Sequence, residues 1–557
     1  MKVAGVNFTQ CLDNIKNNAI ANNDLTGLLD SNGVTPSNAS DATAISYSAC
    51  SSSCGNGQEP FQWSVFSQEF SAWLLPNLAL ISQLPFGAQY RIDNLMSALL
   101  TVGSPALAGY SLFITLLNSR WINRRFDHSV DHPNSRFAVS ILSSLQQAPL
   151  RLHPDRARLY SLIVLPENDS WWKYLAEFVD YTHTWSIASA TSIAWVIVAY
   201  ILTVANSLSD VYADVQSNGE ASGSMWLWLI PIVVGWLQLS PKCDFNRLQA
   251  AYDRADRHSL RTGGADEVHT GMLPASSWRA LAITAQEEDV MSPDEFLTPP
   301  VYNYSRSLRW ASTAETIYLV FKVASEKTHS LPLYLESAEL DTATQSDTTQ
   351  DIDDQDRHGS LQDAIMYCPQ PGEAQSSLWA PGVFTRMAIA SCTSLALQWG
   401  TVGAALLVGW FTPTTGMGCR TMGYLIYGVI STLIWMMLLL SSILAHHSSA
   451  YSRRRLLSAR IALALSHFLR WTGKLWAIIN SFLIVLACIF QYSNFYDRCF
   501  CNSSVFSRRG SAYAVIIETA AQAAQAKAAW IGALVLACTS ASIFLGLVYL
   551  LLDTVPL

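Results

Sequence analysis

The apolar residues of this chain are gathered into long runs separated by polar stretches, instead of alternating or recurring on one helix face. The clearest run, TMGYLIYGVISTLIWMMLLLSSIL at 421–444, carries no charge and is followed by His446, His447, Arg453, Arg454 and Arg455. At 1.5 Å per residue it makes about 36 Å of helix, enough to cross roughly 30 Å of hydrocarbon. Lipid offers the backbone no hydrogen-bond partner, so such a span has to be helical. Comparable runs predict spans over 92–118, 185–206, 225–239, 387–411, 476–491 and 528–551. The first of these should bend at Gly103-Ser104-Pro105, and those at 225–239 and 476–491 are short. Residues 68–90 are apolar but broken by Pro76, Gln83 and Pro85. This predicts an interfacial or dipping segment, with a crossing over 71–90 as the alternative. The expected fold class is therefore an all-α membrane protein of about seven transmembrane helices, or about eight if 71–90 spans.

The stretches between the runs fix an orientation. Residues 1–67 are rich in Asn, Ser, Asp and Gly and hold only Lys2 and Lys16 as basic residues, which predicts an exterior N-terminal tail. No apolar segment precedes it as a cleavable signal would. After the first run come Arg120, Arg124, Arg125, Arg136, Arg151, Arg156, Arg158 and Lys173, so the 119–184 loop is expected to be cytosolic. Phe137, Ile141 and Leu145 recur there at helical spacing, a stripe that either lies on the membrane surface or packs on the loop region itself. Residues 241–381 form a large cytosolic loop region in this reading. It holds a helix over KCDFNRLQAAYDRADRH, a strand or helix at 316–324 and a disordered segment at 339–363 with almost nothing apolar to bury. The four remaining spans occupy 387–551, and the C-terminus is placed in the cytosol. The loop before the last span, with Arg498, Arg508, Arg509 and Lys527, departs from the charge rule. It is placed outside because it carries the sequon Asn502-Ser503-Ser504.

Composition agrees: half of the 557 residues are apolar, 14% are charged, and 19 are Trp. A net charge of −8 argues against nucleic acid as a partner and leaves the lipid bilayer. On this topology Cys11, Cys50, Cys54, Cys419, Cys499 and Cys501 face the oxidising side, an even set that predicts disulfides. Cys499 and Cys501 are too close to pair with each other, so each should reach the tail or Cys419. Asn7 and Asn38, in the tail, join Asn502 as glycosylation candidates; Asn168 and Asn303 fall in expected cytosolic loops.

Candidate chemistry is sparse. No Asp, Glu, Lys or Arg falls mid-span in this reading; Asp93, Arg386, Lys474 and Glu518 lie at or beyond span ends, where snorkelling would serve them. The neutral polar groups Asn206, Gln238, Gln398 and Asn480 are expected to bond between helices. The acids Asp351, Asp353, Asp354 and Asp356 fall in the disordered segment, and the adjacent His446 and His447 point to different helix faces. No nucleophile elbow, phosphate loop or metalloprotease motif is present, so no residue is assigned a catalytic role and no cofactor or metal is expected.

The blocks CSSSCG at 50–55, FQWSVFSQ at 61–68, WLLP at 73–76, QLPFG at 83–87, GSP at 103–105 and LNSR at 117–120 resemble a family of fungal multi-pass membrane proteins without an established common activity. Members are similar to proteins encoded beside secondary-metabolite pathways. The resemblance implies a lipophilic small molecule and other pathway enzymes as partners. The function expected from it is assisting or catalysing cyclisation of a polyketide-type intermediate, in a membrane cavity walled by residues such as Trp195, Trp228, Trp236, Trp399 and Trp435. Export of a small molecule, or a receptor-like or structural role, is the alternative.

Overall fold

The computed structural model describes residues 5–153, 157–180, 185–209, 219–262, 280–283, 292–328, 379–451 and 457–552, and helix dominates them. The expected disordered segment 339–363, with its acids, and Arg453, Arg454 and Arg455 lie outside the described residues. Among the described residues six helices are long and apolar enough to cross a membrane. In the labels used here they are α8 (Ile187–Ser209), α9 with α10 (Gly219–Trp226 and Leu229–Leu239), α13 (Val383–Phe411), α14 (Cys419–Tyr451), α15 (Leu457–Tyr492) and α16 (Ala520–Leu552). Exposed side chains such as Trp195, Ile201, Leu433, Phe482, Val535 and Leu550 give them surfaces that fit a lipid bilayer.

Two expectations change. Residues 92–118 are not one straight helix: α4 (Arg91–Gly103) and α5 (Pro105–Asp127) meet at a bend of 105°, the geometry of a broken span or a re-entrant loop. Ser104 leaves helical geometry and caps α5 through Leu107 N–H, while Pro105 opens the new helix where its missing N–H costs nothing. The 476–491 segment is also not short, because α15 begins at Leu457. Arg460, Arg470 and Lys474 lower its local hydropathy, yet Leu, Ala, Arg and Lys all favour helix and the rod continues through them.

Residues 66–81 lie in a nearly continuous rod, α2 (Trp63–Glu69), a π-turn at Phe70–Leu74 and α3 (Leu75–Ile81). The π-turn and the placement of Pro76 in the first turn of α3 absorb the proline that was expected to break it. Before the rod, Asn494 donates to Pro60 O and Arg498 to Gln58. After it, Ser189 at the start of α8 donates to Gln83. The rod therefore runs from one end of the bundle to the other. Trp73 packs in its middle against Gly223, where any β-carbon would overlap the indole. By contrast α5 lies antiparallel to α13, pairing Ala106 with Gln398 and Asn118 with Arg386. Its first residues thus sit at mid-depth in the bundle and its last ones near the start of α13.

At the end where α13 stops and α14 begins, the tail folds into a small head. Helix α1 (Phe8–Asn22) packs with β1 (Leu28–Leu29) and β2 (Ala44–Ser46), and β2 pairs with β5 (Tyr513–Val515) from the loop before α16. Disulfides join Cys11 to Cys54, Cys50 to Cys499 and Cys419 to Cys501, with Cα separations of 5.6, 5.7 and 4.8 Å, within the ordinary range. These are the six cysteines singled out by sequence, and Cys499 and Cys501 do reach the tail and Cys419 respectively.

At the opposite end, α6 (Ser135–Ser144), α7 (Asp169–Val179), α11 (Phe245–Thr262) and α12 (Asn303–Thr328) pack onto the bundle, joined by the short pair β3 (Arg151–Leu152) and β4 (Leu281–Ala282). Residues 316–324 are helical within α12. Of the 137–145 stripe, Ile141 and Leu145 are buried against neighbouring protein, while Phe137 stays exposed. Ser111 donates to Val301 O and Trp310 to Leu142 O, so the 292–328 segment shares one core with the membrane helices.

Candidate functional site

The break between α4 and α5 frees backbone groups far from solvent, and neutral side chains from three other helices take them up. Gln398 accepts from Ala106 N–H at 3.0 Å and from Ser431, and it donates to Gly428 O at 3.1 Å and Thr432 at 2.9 Å. Asn480 donates to Gly103 O at 2.7 Å and Tyr427 O at 3.2 Å, while Tyr427 donates to Val102 O at 2.8 Å. Ser104 donates to Ser431 O. Of the polar groups flagged in the sequence, Gln398 and Asn480 converge on this one point. Gln238 instead bonds Tyr549 at the surface. Irregular backbone at such depth is tolerated only where protein satisfies it. Close approach is also required: a β-carbon at Gly103 would lie 2.2 Å from Ala477 O.

A buried ionic junction lies where α15 meets the 292–302 segment. Asp294, 1% exposed, accepts from Lys474 and from Tyr304 at 2.5 Å, and Arg470 Nε stands 4.0 Å away. Arg470 also donates to Ser292 at 2.7 Å. Glu295 is paired with Arg309 at 2.9 Å and Arg151 at 4.0 Å. Burial pushes its carboxyl above the usual range despite both guanidinium groups. Arg306, 2% exposed, donates to Pro299 O and Asn303, but its Nε and Nη1 and the Tyr302 hydroxyl find no partner among the described residues. Lys474 lies within α15 and turns inward, so it does not snorkel. Arg386 is likewise inside α13, 6% exposed, bonded to Asn118 at 2.9 Å and stacked 4.1 Å above the Trp121 ring. Asp294 and Arg470 were not flagged in the sequence: nothing in a short polar segment marks the one acid that will be buried.

The head holds its own buried pair. Arg420 meets Asp497 at 2.5 Å, both under 9% exposed, and also contacts Gln491 and Asn502. Glu59, whose N–H donates to Asp497 O, has its carboxyl raised to about 7, first by burial and then by the Asp497 charge, with Arg420 opposing. A raised acid pKa means the folded head gains from protonation. Its stability should be highest below the unfolded value near 4.5 and decline as pH rises through about 7. Glu59→Gln should flatten that slope in pH-dependent melting, and an unchanged slope would show that Glu59 does not titrate in this range. Glu518 is also raised to about 7 by burial alone, just before α16, so some slope should remain in the variant.

Of the glycosylation candidates, Asn7 and Asn38 are exposed and Asn502 is half-buried with its carbonyl on Arg420; Asn303, expected in a cytosolic loop, is buried on Thr115. The five tryptophans do not share one wall: Trp195 faces outward at 64% exposure, while Trp228 and Trp236 are packed in the core. His446 lies against Trp379 with the two rings tilted at 52°. Among the described residues no group of His, Cys, Asp and Glu is arranged to hold a metal. No protein-family model, curated protein or solved structure matches the chain.

Proposed function

We propose that this is a polytopic membrane protein that moves a lipophilic small molecule across or out of the bilayer, with its disulfide-bonded head in the exterior or lumenal compartment and its C-terminus in the cytosol. In this reading the α2–α3 rod crosses the membrane, and α4 and α5 dip in from the cytosolic side and return. The six long helices then complete about seven crossings. The paired cysteines at one end and Arg120, Arg124 and Arg125 toward the other support that orientation.

The observation that carries the transport reading is the helix break at mid-depth, whose first arm packs along α15 beside Lys474 and its buried ion partners. Discontinuous helices and buried ionisable groups are how membrane proteins build pathways through themselves, and both are costly to keep for packing alone. The small-molecule class comes from the resemblance to fungal proteins associated with secondary metabolism. Deleting the gene and profiling metabolites in cells and medium tests it. Finished product retained inside cells is the expected result. An accumulated uncyclised precursor would replace transport with a role in polyketide-type cyclisation, and an unchanged profile would remove both. Glycosylation mapping at Asn38 tests orientation separately, since Asn38 is exposed on the head; modification at Asn168 would overturn it.

A further inference from the structure

The head contains an open surface cleft of about 660 Å³ between α1 and the loop after Cys50–Cys54. Its walls are unlike the rest of the protein. Along α1, Asn7, Gln10, Asn14 and Asn18 follow one another at helical spacing, and across from them stand Ser53, Gly55 and Asn56. Amides and a hydroxyl offer paired donors and acceptors with no net charge. Ile15 supplies an apolar patch, and the Cys11–Cys54 disulfide fixes the two walls against each other. Such an uncharged lining suits a neutral, hydroxyl- and acetamide-bearing molecule.

The cleft also carries its own means of filling. Asn7 stands at its rim as the first residue of the sequon Asn7-Phe8-Thr9. Its carbonyl oxygen is engaged, accepting from Gln10 N–H at 3.0 Å to cap α1, while Phe8 is buried and Thr9 is exposed. The amide nitrogen, the atom that a glycan modifies, is therefore not needed for the cap. We propose that Asn7 bears an N-linked glycan whose first N-acetylhexosamine units lie in this cleft, bonded by Gln10, Asn14 and Asn56. The proposal rests on the head facing the exterior or lumenal side. The modification forms a bond from Asn7 Nδ2 to C1 of the sugar. The sugar–phosphate bond of a polyprenyl-diphosphate-linked oligosaccharide breaks, the diphosphate leaves with the electron pair, and the amide proton passes to the transferase.

The test uses the full-length protein from a host that N-glycosylates, with glycopeptide mass spectrometry and timed removal of glycans by an amidase under native conditions. Asn38, exposed on the same head, is the reference. The Asn7 peptide should carry N-acetylhexosamine and release it roughly tenfold more slowly than the Asn38 peptide does. Asn14→Ala with Asn56→Ala should bring the two rates together without loss of the modification, and Thr9→Ala should abolish it. An unmodified Asn7 beside a modified Asn38 would overturn the proposal and leave the orientation standing. If both asparagines were unmodified, the orientation reading would fail and take the proposal with it. Release from Asn7 as fast as from Asn38 in the unaltered protein would refute the seat even if the glycan is present.

Discussion

Asp294→Ala should destabilise the protein by about 3–5 kcal/mol, the usual cost of removing one partner from a buried ion pair. The carboxylate is the common acceptor for Lys474 and Tyr304, with Arg470 close by, and these cations are only 16% and 4% exposed. Without it an ammonium and a guanidinium are left facing each other in a largely buried site. The loss is therefore larger than the pair's net contribution, because most of it is the penalty of the stranded cations. Thermal unfolding in detergent would measure it. Combining Asp294→Asn with Lys474→Met should recover part of the loss, since the double change removes charge from both sides. A strictly additive double variant, or a melting curve for Asp294→Ala that overlays the parent's, would show that the junction is hydrated in solution.

This same junction marks where sequence reading stops. Hydropathy locates α13, α14 and α16 because lipid demands an apolar surface around the whole rod. It truncates α15, because averaging over a window cannot tell an inward Arg470 or Lys474 from one that faces water. The bend at Ser104 was visible as Gly-Ser-Pro but its 105° was not, since the angle depends on where α5 finds its partner, and that partner is α13, almost 300 residues away. The six disulfide cysteines were legible from loop charge together with the sequon at Asn502, which placed the loop of Cys499 and Cys501 outside against the charge rule. Their pairing was not, because Cys50 meets Cys499 across 449 residues and only the assembled head brings them together. Gln398 and Asn480 stood out as polar groups inside apolar runs; what they bond to became clear only once the helix break was in place.

Gln398→Leu should cost about 2–4 kcal/mol, although hydrogen bonds between membrane helices are usually worth only ~0.6 kcal/mol each. The usual value is small because the partners of such bonds find substitutes within their own helices. Ala106 N–H has no such substitute: it lies in the first turn of α5, ahead of the point where intrahelical bonding begins, and Gln398 is the group that accepts from it. Leucine matches the volume but leaves that N–H without its acceptor in the buried centre of the bundle, and the hydroxyl of Ser431 keeps only the longer bond to Ser104 at 3.3 Å. Asn480→Leu should behave alike, since it orphans Gly103 O at the other side of the break. Gln238→Leu, which loses a surface bond to Tyr549, should stay within about 0.5 kcal/mol of the parent. Three unfolding curves in the same detergent rank these variants. Equal effects at Gln398 and Gln238 would mean that the polar centre is ordinary interhelical bonding and that the break between α4 and α5 needs no support from it.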